Sequence, residues 1–553
     1  MTYVLAEPQI MAAVAEDIEW IGASIEVANT AAANSTSHVL AAATDEVSAA
    51  IAKLFADHGH EYQAVANQVR AFHSQLHQSL TAAAGAYVQA ETTNVAALLG
   101  AARAPFASTA PTAAAIPPFP ANDVTLFPGA TGFPIPTPAQ IEVVNSLFVR
   151  STGILRALFT PQEGYPMTGT KSLPFDTSVR LGVTILENTL YDLIHNEGQS
   201  VTVTGLSQSA IIATDTMRNL ASGTSIFGAS PPTADQLNFV LLGNELTPNG
   251  GMFSRFPQLY LPSVGLTFGG ATPPDTIYPT ANYTLEYDGF ADFPRYPLNI
   301  ISNLNALAGI FYVHPAYLDL TPGQVDNAIL LPTSPGYSGV TSYYMIRTQN
   351  LPLLEPLRAM PVLGNPLANL VQPTLKVIVN LGYGDPAYGF STDYADVPTT
   401  FGLFPDVSPV VVADALAAGV EQGVNDFARD MRTILAQPIT MPSLPISSTA
   451  DLVATSLTLP SPMEVVNTAA SITANSYAVL LPTADIGLSM VTTVPVYLVQ
   501  IGLDQLLQGS LINAVGYPIA AIAGLGSIAG GIELLTIGKA TMSNISAIQR
   551  LTA

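Results

Sequence analysis

A serine flanked by small residues is the first feature of this chain that could do chemistry. The segment Gly205-Leu206-Ser207-Gln208-Ser209 follows a predicted strand and precedes a predicted helix. A nucleophilic serine at such a turn needs small neighbours, because the backbone bends sharply there. Gly205 and Ser209 meet this need, Ser209 standing where a second glycine is commoner. The pattern predicts Ser207 as a nucleophile, and an ordinary strand-to-helix turn is the alternative.

A serine hydroxyl is a poor nucleophile and needs an adjacent base, usually a histidine. In α/β-hydrolases the catalytic residues follow the chain order Ser, then Asp or Glu, then His. Of the seven histidines, five lie in the first hundred residues and His195 precedes the serine. His314 alone follows Ser207, so it is the predicted base.

The acid of such a triad should follow a later strand and precede the histidine. The segment Tyr287–Pro294 offers Asp288 and Asp292 after a strand predicted over Tyr283–Tyr287. We favour Asp292, because the catalytic acid of this fold lies a few residues beyond its strand. Asp288 is the alternative acid, and an Asx turn would otherwise explain it.

An oxyanion hole needs two backbone N–H groups directed at the developing charge. The amide of Gln208, next to the nucleophile, is one candidate. The other is Thr131 in the turn 129–132 (Gly-Ala-Thr-Gly), where a plain glycine turn is the alternative reading. The sequence has no phosphate-binding loop, dinucleotide fingerprint or zinc-binding helix motif, so we expect catalysis without metal or cofactor.

The elements that would position these residues fall into four predicted regions. Residues 1–98 read as an antiparallel helical hairpin, and 99–122 as an Ala/Pro-rich linker. Strands alternating with helices over 123–405 predict a mostly parallel sheet of the α/β type. Residues 406–553 read as an apolar helical region of unknown role. The chain is thus predicted to be multidomain.

Composition limits the partners of the chain. Its net charge of −23 argues against nucleic acid or an anionic membrane surface, because both require a basic face. Only 10% of the residues are charged, which indicates apolar surroundings such as a cell envelope. Between Gln505 and Ile532 there is no charged residue, a stretch longer than the ~20 residues that span a bilayer. Pro518 and many small residues there favour a packed or surface-associated helix pair instead.

The first hundred residues resemble the PE domain of mycobacterial PE proteins. They end in a segment with Tyr87 and Glu91, which is similar to the Tyr-x-x-x-Asp/Glu export signal of that family, although Pro8 is followed by Gln9 where the family has Glu. The region 124–405 resembles the PE-PPE domain, a cutinase-like serine hydrolase, in the turn 129–132, the pentapeptide 205–209, the segment 287–297 and His314-Pro315-Ala316-Tyr317.

This resemblance implies a triad of Ser207, Asp292 and His314, export by a type VII secretion system, a cell-wall or cell-surface location, and pairing of the hairpin with a PPE protein. The function expected is hydrolysis of carboxylic esters of acyl chains or envelope lipids. Transfer of acyl groups to an acceptor such as trehalose is one alternative, and an inactive partner-binding protein is the other.

Overall fold

The computed structural model describes residues 122–436 and 461–552, with scattered helical positions between residues 33 and 63. The chain divides into two units, Met1–Thr112 and Ala113–Ala553. Most of the predicted hairpin, including Tyr87 and Glu91, lies outside the described residues, as does most of the linker. The predicted boundaries of the four regions stay predictions.

The second unit is built on a seven-stranded sheet of order β2-β1-β3-β4-β7-β9-β8, in which every pair is parallel except β8 with β9. A separate two-stranded antiparallel pair is formed by β5 and β6. The strands are β1 Val124–Pro128, β2 Ile154–Leu158, β3 Val201–Leu206, β4 Leu237–Leu242, β5 Tyr260–Leu261, β6 Leu266–Thr267, β7 Thr280–Leu285, β8 Ile329–Leu330 and β9 Thr341–Ile346.

Helices cover both faces of this sheet and continue to the end of the chain. The α-helices are α1 Pro138–Val144, α2 Phe175–Leu190, α3 Gln208–Ser222, α4 Met252–Arg255, α5 Ile300–Tyr312, α6 Pro322–Asp326, α7 Glu355–Arg358, α8 Gly364–Asn380, α9 Pro409–Ala436, α10 Pro462–Ala478, α11 Leu480–Leu507 and α12 Leu511–Thr552. Single π-helical turns extend α1 and α2 over Asn145–Val149 and Tyr191–Asn196, and 3₁₀ turns form at His314–Asp319 and Pro352–Leu354.

The central strands are buried along their whole length, as expected when helices cover both faces of a parallel sheet. Every residue of β4 and β7 is buried. The predicted α/β fold is confirmed for this unit, and the strand predicted before Gly205 is present as β3. The strand predicted to end at Tyr287 ends at Leu285 instead.

Two of the helices after residue 405, α11 and α12, contribute to the same core as the sheet. Val494 of α11 and Ala520, Ala521 and Leu525 of α12 are buried in the cluster that contains the β3 and β4 side chains. Close contact depends on small residues, because a Cβ on Gly524 would lie 2.6 Å from the ring of Phe256. The last two helices of the predicted apolar region are therefore packed against the sheet and its helices.

Two helical stretches, Met463–Leu507 and Leu511–Gln549, are long and apolar enough to cross a membrane by length and composition. The same test is passed by core helices of soluble proteins, and α12 buries one face in the core described above. The charge-free segment 505–532 is interrupted by Gly509, whose φ of 78° ends α11.

Candidate active site

Ser207 lies at a sharp turn between β3 and α3. Its φ of 59° and ψ of −128° are unusual for a residue with a side chain, and such backbone strain costs ~1–3 kcal/mol. The turn is held by the amide of Ser207, which donates to the carbonyl of Leu242 at 3.0 Å. Strained residues cluster at functional sites, and this geometry is that of a nucleophile elbow.

The small residues around Ser207 have separate structural reasons. A Cβ on Gly205 would lie 2.8 Å from the Cα of Ala210, so any larger residue would push α3 away from β3. Ser209 takes the place of the commoner glycine and ties the elbow together. Its Oγ accepts from the amide of Leu206 at 2.7 Å and donates to the Leu206 carbonyl at 2.9 Å.

His314 is paired with Asp288. Its Nδ1 lies 2.9 Å from each carboxylate oxygen of Asp288, whose side chain is fully buried. Asp288 Oδ1 also accepts from the amides of Phe290 and Ala291, at 3.0 and 3.2 Å. These donors orient the carboxylate, and the carboxylate in turn orients the imidazole ring with Nδ1 protonated.

Asp288, the alternative acid of the sequence analysis, contacts His314, whereas the favoured Asp292 does not. Asp292 is also buried, but its Oδ2 accepts from the amide of Tyr287 at 3.0 Å and does not contact His314. Burial raises the pKa of Asp292 well above its usual value. The strand predicted to reach Tyr287 stops at Leu285, so Asp288 is the carboxylate that follows the strand end by a few residues.

Tyr317 was not predicted as a site residue, although it belongs to the His-x-x-Tyr segment. Its hydroxyl donates to Asp288 Oδ2 at 2.8 Å and accepts from the amide of Leu285 at 3.0 Å. The ring is completely buried. Tyr317 therefore connects the end of β7 to the carboxylate that holds His314.

Glu245 is a second residue that sequence reasoning missed. It follows β4, the strand between β3 and β7, and its Oε1 accepts from Ser207 Oγ at 3.1 Å. Its other oxygen, Oε2, is buried without a hydrogen-bond partner among the described residues. Burial raises the pKa of Glu245 to about 7. No motif marks it, because a Glu three residues beyond a strand is a common occurrence.

His314 lies at the wall of a cleft that Ser207 and Glu245 also line. Burial lowers the pKa of His314, but the charge and hydrogen bond of Asp288, with a smaller contribution from Glu245, raise it overall above its usual value. The Nε2 atom is buried and has no hydrogen-bond partner within the described ranges. Gly243 makes room for the ring, because a Cβ there would lie 3.0 Å from His314 Cε1.

The turn after β1 brings Thr131 to the same cleft. Gly129 is required there, since a Cβ would overlap the carbonyl oxygen of Phe133 at 1.8 Å. The amides of Ala130 and Gly132 donate to Phe133 and Gln162, respectively. In the described part of the chain the amides of Thr131 and Gln208 have no protein acceptor.

The side chain of Gln208 connects three segments around the elbow. Its Oε1 accepts from Thr131 Oγ1 at 3.2 Å, and its Nε2 donates to the Glu163 carbonyl and to Ser178 Oγ. The turn after β1 is thereby fixed relative to the first turn of α3. The two residues whose backbone amides are predicted to form the oxyanion hole, Thr131 and Gln208, are thus joined by a hydrogen bond between their side chains.

The cleft itself has a volume of about 260 Å³ and mostly apolar walls. Its polar end contains Thr131, Ser207, Glu245 and His314. Among the described residues there is no group of three or more His, Asp or Glu side chains arranged to hold a metal ion. The chemistry that the described side chains offer is therefore that of a serine, an imidazole and two carboxylates.

Comparison with known proteins places this site in a family. A model described as the PE family matches residues 4–94, and a model described as the PE-PPE domain matches residues 153–384. The PE family protein PE3 of Mycobacterium tuberculosis is 43% identical over 76% of this chain and 87% of its own length. The chain belongs to the PE family.

Two further relatives of this PE family protein come from the same organism. The esterase PE16 is 44% identical over 76% of each chain, and the PPE family protein PPE28 is 49% identical over 77% of this chain and 68% of its own. The PE-PPE match includes Ser207, Asp288 and His314. It begins only at residue 153, although β1 pairs with both β2 and β3.

Proposed function

We propose that this protein is a serine hydrolase that cleaves carboxylic esters through an acyl-enzyme. One observation carries the proposal: His314 is hydrogen-bonded to Asp288 through Nδ1, while its buried Nε2 has no partner among the described residues and His314 shares a cleft with Ser207. A base held in one tautomer beside a serine at a strained turn is the arrangement that activates a hydroxyl.

In the first half of the reaction, Ser207 Oγ attacks the ester carbonyl while His314 Nε2 takes the hydroxyl proton. The tetrahedral intermediate then collapses, the bond to the leaving alcohol breaks, and His314 returns the proton to that alcohol. Asp288 keeps the ring oriented and stabilises its charged form. A bound acyl-serine and a free alcohol result.

The negative charge of the intermediate requires donors that are fixed before the reaction. The amides of Gln208 and Thr131, which have no acceptor in the part of the chain that the structure describes, supply them in this proposal, and the hydrogen bond between the two side chains keeps the residues together. In the second half, water attacks the acyl-serine with His314 again as the base. Ser207 regains its proton and the carboxylic acid leaves.

Glu245 holds the Ser207 hydroxyl in the resting arrangement. For catalysis Ser207 must exchange this hydrogen bond for one to His314, which lines the same cleft. The charge of Glu245 also stabilises protonated His314. We therefore assign Glu245 a positioning role and not a step in proton transfer.

The family supports the same class of reaction, since one relative that covers most of this chain is described as an esterase. PE family membership also supports export by a type VII secretion system, with a signal at Tyr87 and Glu91. On this proposal the protein resides in the cell wall or at the cell surface, and its N-terminal hairpin pairs with a PPE protein. Co-expression with PPE partners, followed by purification, tests the pairing.

Hydrolysis is tested with p-nitrophenyl butyrate and the variants Ser207→Ala and His314→Ala. Each should lose activity ~10⁴-fold or more, because triad residues act as a unit. Ser222→Ala and His195→Ala are the matched controls, since Ser222 is exposed and His195 stacks on Tyr191 away from the cleft. Equal activity in wild type and Ser207→Ala would refute the proposal.

The same assay separates hydrolysis from acyl transfer. With trehalose added, a hydrolase continues to release free acid, whereas a transferase forms trehalose esters at the expense of the acid. A folded wild type without either product would favour the inactive partner-binding alternative.

A further inference from the structure

A second, smaller cavity adjoins the cleft. This inner cavity has a volume of about 50 Å³ and shares six apolar wall residues with the cleft. The shared residues are Met167, Phe175, Leu266, Phe268, Ile528 and Ile532. The two adjoining spaces, called the channel below, extend from Ser207 to the region between the sheet unit and the C-terminal helices.

One side of this channel is made by the C-terminal helices. Ile528 and Ile532 of α12 line both spaces, whereas Met490 of α11 lines the inner cavity but not the cleft. The helices are held tightly: a Cβ on Gly531 would lie 2.6 Å from Leu307 of α5. Asn303 also donates to Ser527 Oγ, at 3.3 Å. The wall is therefore a fixed part of the fold.

The polar groups along the inner cavity are already bonded to one another. The hydroxyl of Tyr165 donates to Asp485 at 2.6 Å, and Ser489 is hydrogen-bonded to Ser263. Within the described residues, the inner cavity thus offers no free hydrogen-bonding group to a ligand. Placing a polar group there would cost free energy, whereas an aliphatic chain loses nothing by leaving water.

We propose that α11 and α12 complete an acyl-chain channel, and that the preferred substrates are esters of long, unbranched aliphatic acids. The inference rests on the proposed esterase function, because the channel starts at the nucleophile. The carbonyl carbon lies at Ser207, the first methylenes fill the cleft, and the end of the chain passes Ile532 into the inner cavity.

The channel predicts a dependence on chain length. Each methylene that enters an apolar site raises kcat/KM by roughly fourfold, as expected from the hydrophobic free energy of one such group. The values for p-nitrophenyl acetate, butyrate, octanoate and laurate should therefore rise until the inner cavity is filled.

Two substitutions block the channel at different depths. Ile532→Trp fills the junction between the two spaces, and Met490→Trp fills the inner cavity. Each should lower kcat/KM for the laurate ester ~10-fold or more, because several methylenes lose their site. The measured quantity is the ratio of laurate to acetate kcat/KM within each variant, because an acetyl group is too short to enter the inner cavity. The acyl-chain length at which kcat/KM stops rising should be shorter in Ile532→Trp than in Met490→Trp.

Ile519→Trp is the matched control, since Ile519 lies on the same helix and is exposed. Hydrolysis of the acetate ester reports folding and the triad in every variant. Full acetate activity with an unchanged chain-length profile in both channel variants would overturn the channel while leaving the esterase intact. Loss of all ester hydrolysis in wild type would instead refute the proposed function itself.

Discussion

The two sides of the cleft differ in chemistry. On the sheet side, β3, β4 and β7 end next to one another and present Ser207, Glu245 and Asp288 at one edge, where ligands bind in open α/β sheets. On the helix side, α12 contributes aliphatic side chains to the cleft, and α11 contributes them to the inner cavity. On the proposed function, reactivity depends on a few hydrogen bonds at strand ends, whereas the choice of substrate depends on apolar side chains far along the chain.

The largest expected effect tests whether Asp288 or Asp292 is the carboxylate that orients His314. Asp288→Asn should lower kcat ~10³- to 10⁴-fold, because an amide in place of the carboxylate disfavours the tautomer that His314 needs. Asp292→Asn should lower kcat by less than ~10-fold, since Asp292 accepts a backbone amide and the Asn carbonyl can do the same. Ester hydrolysis by the two purified variants is the measurement.

The two variants form a matched pair, since both residues are buried acids in one loop. Circular dichroism spectra that match wild type would show that each is folded. The reverse order of effects, with Asp292→Asn the more damaging, would return the acid to Asp292 and contradict the assignment made from the His314 contact.

The packing of α12 in the core is tested by the free energy of unfolding of two variants. Leu525 of α12 is 4% exposed in the core, so Leu525→Ala should reduce the free energy of unfolding by ~2–5 kcal/mol. Leu534, on the same helix, is 67% exposed, and Leu534→Ala should change it by no more than ~0.5 kcal/mol. Urea unfolding of both variants measures the difference. Equal midpoints would mean that α12 is not packed in the core.

A smaller expected effect concerns the pH dependence of kcat/KM, through the influence of Glu245 on His314. The negative charge of Glu245 raises the pKa of His314, so Glu245→Gln should lower that pKa. His314 must be neutral to act as a base, and the acidic limb of the kcat/KM profile should therefore move to lower pH. Glu187→Gln is the control, because Glu187 is a buried carboxylate that accepts from Asn219 away from the cleft. An unmoved acidic limb would argue against coupling between Glu245 and His314.

The sequence identified the parts of the site that carry a local pattern. Ser207 stands in a recognisable turn, and His314 is the sole histidine after it, so both could be proposed from the sequence, and both line the same cleft. Asp288 and Asp292 could not be separated, because the choice depended on a strand end that moved by two residues. Glu245 and its contact with Ser207 arise from the order of strands in the sheet, which no short motif records.

The C-terminal helices were predicted as helices, but not as a wall of the cleft. Their apolar residues occur all around the helix, as the exposed Val499, Leu503 and Ile519 illustrate. With no polar face there is no periodicity to indicate which side is buried. The buried side follows instead from the small residues Ala520, Ala521 and Gly524, which permit close contact with the sheet unit.

The most direct test of the central claim is labelling with a fluorophosphonate, which reacts with an activated serine and needs no knowledge of the substrate. Purified wild type should be labelled at one site, and mass spectrometry of its peptides should locate the adduct on Ser207. Ser207→Ala and His314→Ala should remain unlabelled, while His195→Ala should be labelled like wild type. Absence of labelling in folded wild type, or an adduct on another residue, would contradict the account.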